Sequence, residues 1–278
     1  MKKIIQSIGL MALMCFSFMY TDKVRDVINE KDSLMIELET KEKDYKIDPV
    51  PAIITKDTII PGITGKSIDI ANSYNKMREL GIFREDLLEY YQTYPKILLK
   101  DNLDKYIISA NPHKQEVALI FRLKSDKELS NLLSLIAKYN LKINLYANTD
   151  YLETNLTNLD PSNIELYNYG DNGTYSHYNI LLGENIIKNK TNSLSLYCLT
   201  LTKDQNTLNN CKKDHKYTLI PSIIGNNTPY NNIKANLKSG SLILLDLNNQ
   251  TLKELPTIID FIKGKGLTFN YLSQLLAE

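Results

Sequence analysis

Val117-Ala118-Leu119-Ile120-Phe121-Arg122-Leu123-Lys124 is an apolar run that closes on two cations with a leucine between them. A run this short and this continuous reads as a strand covered on both faces, as in a parallel sheet. Downstream of it, helix and strand signals alternate at regular spacing. Ser125 to Glu128 form an S-x-x-E capping box ahead of Leu129, Leu132, Leu133 and Ile136, one apolar helix face. Further strands are predicted at 143–147, 164–169, 193–201, 217–224, 241–247 and 267–271. Helices are predicted between them at 151–159, 178–188 and 205–212, and near 231–237. The last helix carries Leu252, Leu255, Ile258, Ile259 and Ile262, and Gly264 and Gly266 end it.

One more strand is predicted upstream at 104–109, with Asn111-Pro112-His113-Lys114 as the turn into Val117. Alternation of this kind implies right-handed βαβ units and an α/β class. About seven parallel strands suit a closed or distorted (β/α) barrel better than an open doubly wound sheet, although periodicity alone leaves both standing.

Upstream of the barrel the pattern changes. Lys2 and Lys3 precede an apolar stretch, 4–20, that barely reaches the roughly 17-residue minimum for a membrane span. No small-residue cleavage site comes after it, so an uncleaved signal anchor over 1–21 is expected, with a cleaved signal peptide as the alternative. The two lysines would stay inside, leaving everything after Thr21 outside. Residues 22–58 read as a stalk and linker. Val24, Val27, Ile28, Met35 and Leu38 stand at helical spacing, and Asp48-Pro49-Val50-Pro51 breaks the helix. Residues 59–104 read as an ordered N-terminal extension, with a turn segment at 59–65 and helices at 71–80 and 83–91, leaving 105–278 as the barrel.

A formal net charge of +1 gives no electrostatic reason to expect nucleic acid. Cys198 and Cys211 fall in separate predicted elements at no recognised spacing, and they are expected to be unpaired.

From about Lys105 onward the chain resembles the polysaccharide deacetylases, metal-dependent N-deacetylases of chitin oligosaccharides and peptidoglycan. In that family the opening strand reads V-A-L-T-F-D-D-G, where this chain has Val117-Ala118-Leu119-Ile120-Phe121-Arg122-Leu123. A second stretch, Asn140-Leu141-Lys142-Ile143-Asn144-Leu145-Tyr146, stands where members read N-V-K-A-T-F-F. Gly173-Thr174-Tyr175-Ser176-His177 matches H-T-Y-S-H, and Leu244-Leu245-Asp246-Leu247 matches the final L-L-H-D. The family's arginine motif has no counterpart near 196–204. The tail from Thr251 to Phe269 matches the closing helix and strand. Ile60-Pro61-Gly62 through Phe83, with Ser73-Tyr74, is similar to a segment of membrane-anchored relatives in low-GC Gram-positive bacteria.

The resemblance implies a kept fold and a deleted reaction. Its catalytic base, metal carboxylate and catalytic histidine are replaced by Arg122, Leu123 and Asp246. Of its two metal histidines, one place holds Gly173 and the other keeps His177. Metal activation of water needs three ligands and an open position. Leucine and glycine offer no donor, and a guanidinium neither accepts a proton nor tolerates a neighbouring divalent ion. No cofactor is therefore expected, and the chain is read as a pseudoenzyme.

Arg122 is read as solvated or salt-bridged, with Asp246 as its partner across the former cleft, and His177 as an ordinary helix-start residue. His113 and His215 lie in loops with no motif around them. Arg122, Tyr146, Tyr175, His177 and Asp246 are the candidates for binding a ligand in the cleft, with Tyr169 as another ring for a sugar to stack on.

Three functions are compatible with this reading. The first is an inactive, membrane-anchored protein on the outer face of a bacterial membrane, binding cell-wall glycan or an envelope protein. The second is an active hydrolase with a site rebuilt from Asp171, His177 or Asp246. The third is a structural envelope or sporulation scaffold with a filled cleft.

Overall fold

The computed structural model describes residues 11, 13–20, 32–123, 126–155 and 163–278. Two compact units emerge, one from 1–49 with 64–93, the other from 50–63 with 94–278. Residues 59–104, expected as a single extension, are thus shared between them.

In the smaller unit, Asp32 caps helix Ser33–Tyr45 by accepting the Leu34 backbone N–H. Leu34 and Leu38 on that helix pack with Tyr74 and Met77 of helix Ile70–Met77, around Ile68 and Leu88. The upstream part of the expected stalk, with Val24, Val27 and Ile28, lies outside the described residues. The helix expected over 83–91 does not form. Its place is taken by a 3-10 turn, Glu85–Leu87, and a strand, Tyr90–Thr93, which pairs antiparallel with Gly65–Ile68. Phe83, Leu87 and Leu88 have helical spacing, but a strand partner distant in sequence outweighs that local signal.

The larger unit is the α/β body. Strand Glu116–Leu123 lies at the centre of one sheet, parallel to Leu242–Asp246 on one side and Ile143–Ala147 on the other. Ile164–Asn168 extends that sheet beyond Ile143–Ala147, and Ile223–Gly225 extends it beyond Leu242–Asp246. Thr268–Phe269 pairs with the beginning of the central strand. In the second sheet Tyr217–Leu219 runs parallel to both Tyr197–Leu199 and Tyr106–Ile107. Thr58–Ile60 and the antiparallel Ile53–Ile54 complete its edge, so the segment expected as a turn at 59–65 begins in a strand.

The strand expected over 217–224 is split. Its first half belongs to one sheet and its second half to the other, with Pro221 between them. Proline has no N–H to continue a ladder, so the break falls where the sheets change over.

Strand periodicity sorts the core. Val117, Leu119, Phe121 and Leu123 face the helices, packing with Leu132, Ile136, Ile258 and Ile262. Ala118 and Ile120 face the space between the sheets, with Tyr146, Tyr167, Tyr197, Leu199, Leu219 and Leu244. Burying each large side chain contributes about 1.5–3 kcal/mol, which is why this alternation sets the register. Helix Leu129–Tyr139 forms as expected, whereas Ser125 of its expected capping box lies outside the described residues. Of the expected anchor, 1–21, residues 1–10, 12 and 21 also lie outside them. Among the described residues no helix is long and apolar enough to cross a membrane.

Candidate functional site

Alternation along the central strand puts Arg122 on the face of Ala118 and Ile120, at the C-terminal end where parallel barrels build their sites. Asp246 is its register partner on the neighbouring strand. The guanidinium Nε donates to Asp246 Oδ1 at 2.7 Å, and a terminal nitrogen lies 2.7 Å from the same oxygen. The remaining arm donates to the Tyr169 hydroxyl at 3.2 Å. Burial opposes the charge on Arg122, but the hydrogen bonds to Asp246 and Tyr169 more than offset it and hold its pKa above the ordinary arginine value. The expected pairing of Arg122 with Asp246 is therefore present.

Tyr169 also sits beside Gly173. A Cβ on Gly173 would lie 2.9 Å from the Tyr169 hydroxyl and 3.1 Å from its ring carbon. Gly173 has φ +91°, in a turn closed by the Asp171–Thr174 bridge. The residue at one lost metal position thus makes room for the ring that supports the residue at the lost base position.

The other candidates are dispersed. Leu123 is 2% exposed and belongs to the core facing the helices. His177 opens helix His177–Thr191, after a capping box between Ser176 and Asn179, and its Nδ1 lies 2.5 Å from Asp214 Oδ1. Asp171 accepts from Asn172 in its own turn. Asp171, His177 and Asp246 therefore have separate partners and form no rebuilt constellation. The residues present do not fit a metal, since two of the three family positions lack a donor atom. Among the described residues no group of three or more His, Cys, Asp or Glu is gathered to hold one.

Two expected ligand-binding tyrosines are structural. Tyr146 is fully buried, stacked on Tyr167 at 5.0 Å and edge-on to Tyr169 at 6.3 Å, and its hydroxyl donates to the Tyr197 carbonyl. Tyr175 is buried with Ile180, Cys198 and Cys211, and its hydroxyl donates to Asn168 O and accepts from Leu199 N. Burial pushes both phenols well above the ordinary tyrosine range. Neither ring offers a face to a sugar. Cys198 and Cys211, expected to be unpaired, form a disulfide across a Cα–Cα distance of 6.5 Å. They come from strand Tyr197–Leu199 and helix Gln205–Lys213, adjacent elements whose packing no spacing rule encodes.

No protein-family model matches the chain. It is 32% identical over 132 residues to the uncharacterized protein YlxY of Bacillus subtilis (strain 168). That match covers 47% of this chain and 41% of YlxY, so the chain spans less than half the length of that relative. In fold it is similar to BA3943 of Bacillus anthracis, a CE4 family pseudoenzyme. The TM-score is 0.66 with 21% identity, over 89% of this chain and 96% of that one. A mutant of BA3943 with restored enzymatic activity gives the same score and identity, over 89% and 99% of the two chains. The Bc1960 peptidoglycan N-acetylglucosamine deacetylase matches at TM-score 0.51 and 18% identity, over 62% and 92%. At these identities the likeness is one of fold. The larger unit has the architecture of the CE4 deacetylases.

Proposed function

We propose that this chain is a degenerate member of the CE4 polysaccharide deacetylase family, carrying the fold without its hydrolysis. In this reading it is exported and held at the outer face of a bacterial envelope, where it acts as a binding or scaffolding component. The observation that carries the proposal is the Arg122–Asp246–Tyr169 cluster. At the place of the base there is a permanent cation, and it is paired with the residue at the place of the acid. General-base and metal assistance each lower a barrier by several kcal/mol, and neither has a residue here to supply it.

Burial of Tyr146 and Tyr175 favours contact through the outer surface over capture of a sugar in the cleft. The Cys198–Cys211 disulfide supports export, because disulfides persist in oxidising compartments.

Acetate release from chitin oligosaccharides and from peptidoglycan tests the reading. The purified chain is expected to match a heat-killed control with or without added zinc, and to bind zinc well below one ion per chain. Acetate above the control, lost on Asp246→Asn, would establish a working site instead. Fractionation of cells tests location separately, with the chain expected in the membrane fraction and its N-terminus intact.

A further inference from the structure

At the opposite end of the barrel from Arg122, where Thr268 pairs with Glu116 at the start of the central strand, a groove of about 420 Å³ opens. That size lies within the range of small-molecule sites, roughly 300–1,000 Å³. Its walls are Asn140 and Lys142, just past the end of helix Leu129–Tyr139, and Lys263, Gly266, Leu267, Thr268 and Phe269 at the close of the chain. Among the described residues no carboxylate lines it.

Neither ammonium group of this groove is in an ion pair with a described carboxylate, and Lys142 lies 5.2 Å from the centroid of the Tyr271 ring. Lys142 Nζ donates to two neutral oxygens, Asn270 Oδ1 at 3.1 Å and Gln274 Oε1 at 3.2 Å, which leaves a third N–H. Lys263 is exposed and makes no ion pair with a described carboxylate, Asp260 one turn earlier included. Glu116, the acid that meets this region through the strand, is engaged by Asn270 Nδ2 at 3.0 and 3.1 Å.

At the two helix ends that border the groove, part of the set of terminal carbonyls is already bonded. Asn140 N–H caps Ala137 and Ile136, and the N–H groups of Lys265, Gly266 and Leu267 cap Phe261, Ile262 and Lys263. Gly266 borders open space, since a Cβ there would meet nothing within 4 Å. Leu267 and Phe269 supply an apolar lining beside the two ammonium groups.

We propose that this groove is a binding site for a small amphiphilic anion, a phosphate or carboxylate head on a short apolar chain. The head group lies between Lys142 and Lys263 within reach of the Thr268 hydroxyl, and the apolar part lies on Leu267 and Phe269. The site is independent of the function proposed above and remote from the Arg122 cluster.

Hexyl phosphate titrated into the full chain is the test, read by calorimetry and by backbone amide shifts. Saturable binding is expected, with shifts at Gly266, Leu267, Thr268 and Phe269 and none at Arg122 or Asp246. Inorganic phosphate alone and 1-hexanol alone are each expected to bind at least about tenfold more weakly, because each engages half of the groove. Lys142→Gln with Lys263→Gln is expected to weaken hexyl phosphate at least about tenfold. Lys263→Gln alone gives a second reading in a variant whose changed side chain has no ion pair to lose, with a loss in the same direction.

Unchanged affinity in both variants, shifts centred elsewhere, or no saturation would overturn the assignment. So would lysine-dependent binding to phosphatidylglycerol vesicles without saturable binding of hexyl phosphate. That outcome would make the surface a membrane contact and not a pocket.

Discussion

The Tyr169 hydroxyl stands 2.9 Å from the point a Cβ at Gly173 would occupy, in a turn where Gly173 holds φ +91°. Restoring histidine at this position therefore meets two obstacles, a collision and a backbone conformation that L side chains avoid. Gly173→His is expected to lower stability by about 2–4 kcal/mol, combining overpacking with left-handed strain. Tyr169→Ala carries a cavity cost of its own, so the overpacking part is read as the coupling between the two substitutions, and the strain remains in the double variant. Urea denaturation of Gly173→His, Tyr169→Ala and the double variant measures both, and an unchanged midpoint for Gly173→His would show that the turn relaxes freely.

The ion pair behind Tyr169 makes its own prediction. Arg122 and Asp246 are largely buried, so removing either takes the ion-pair partner from the other. Arg122→Leu and Asp246→Leu are each expected to destabilise by about 1–3 kcal/mol, and the double variant by less than their sum. A coupling of about 1–3 kcal/mol should emerge from the double-mutant cycle. Strict additivity would mean that the pair contributes nothing beyond separate packing.

The tyrosines of the interior give a pH dependence with a defined sign. Burial raises the phenols of Tyr146, Tyr167, Tyr175 and Tyr197 in the folded chain, whereas unfolded tyrosine titrates near its ordinary value of about 10. The unfolded state thus releases these protons first. Their contribution is intact below about pH 10 and is lost as pH rises through the folded values. The urea midpoint should fall steadily above about pH 10, and ultraviolet titration should show these tyrosines ionising only as the chain unfolds. A midpoint flat to strongly alkaline pH would contradict their burial.

Cys198 and Cys211 are 13 residues apart in sequence, a short loop whose cross-link constrains the unfolded chain. Cys198→Ala with Cys211→Ala should cost about 3 kcal/mol. In denaturant without reductant a maleimide should label one thiol per chain, Cys15, and after reduction all 3 cysteines. Three labels before reduction would show that the bridge is absent.

How far fold and site were legible in the sequence depended on the range of the interaction. Ile143–Ala147 and Leu242–Asp246 could be read from short, mainly apolar runs, and helix Asn249–Gly264 from the spacing of Leu252, Leu255, Ile258, Ile259 and Ile262. The Arg122–Asp246 pair became readable once both were placed at strand ends, because charge and proximity alone decide it. Tyr146 and Tyr175 were misplaced because a tyrosine on a strand or in a turn looks the same whether it lines a cleft or fills it. The disulfide and the Tyr169–Gly173 contact were hidden for a related reason. Each depends on the packing of elements that share no local pattern, and a glycine carries no mark of the ring beside it.

The line between strands Ile164–Asn168 and Tyr197–Leu199 is where the two sheets meet at their outer members, without a shared backbone ladder. Side-chain oxygens span it instead. Ser195 Oγ accepts from Asn168 N at 3.0 Å, the Tyr175 hydroxyl joins Asn168 O to Leu199 N, and the Tyr146 hydroxyl reaches Tyr197 O at 3.1 Å. Along this line the barrel is buttoned shut, whereas within each sheet it is woven. Three fasteners, each a single oxygen atom, can be removed as Ser195→Ala, Tyr175→Phe and Tyr146→Phe with almost no change in shape. A wall of that construction parts along such a seam, so amide exchange at Asn168 and Leu199 would report the parting of the sheets before any helix lets go.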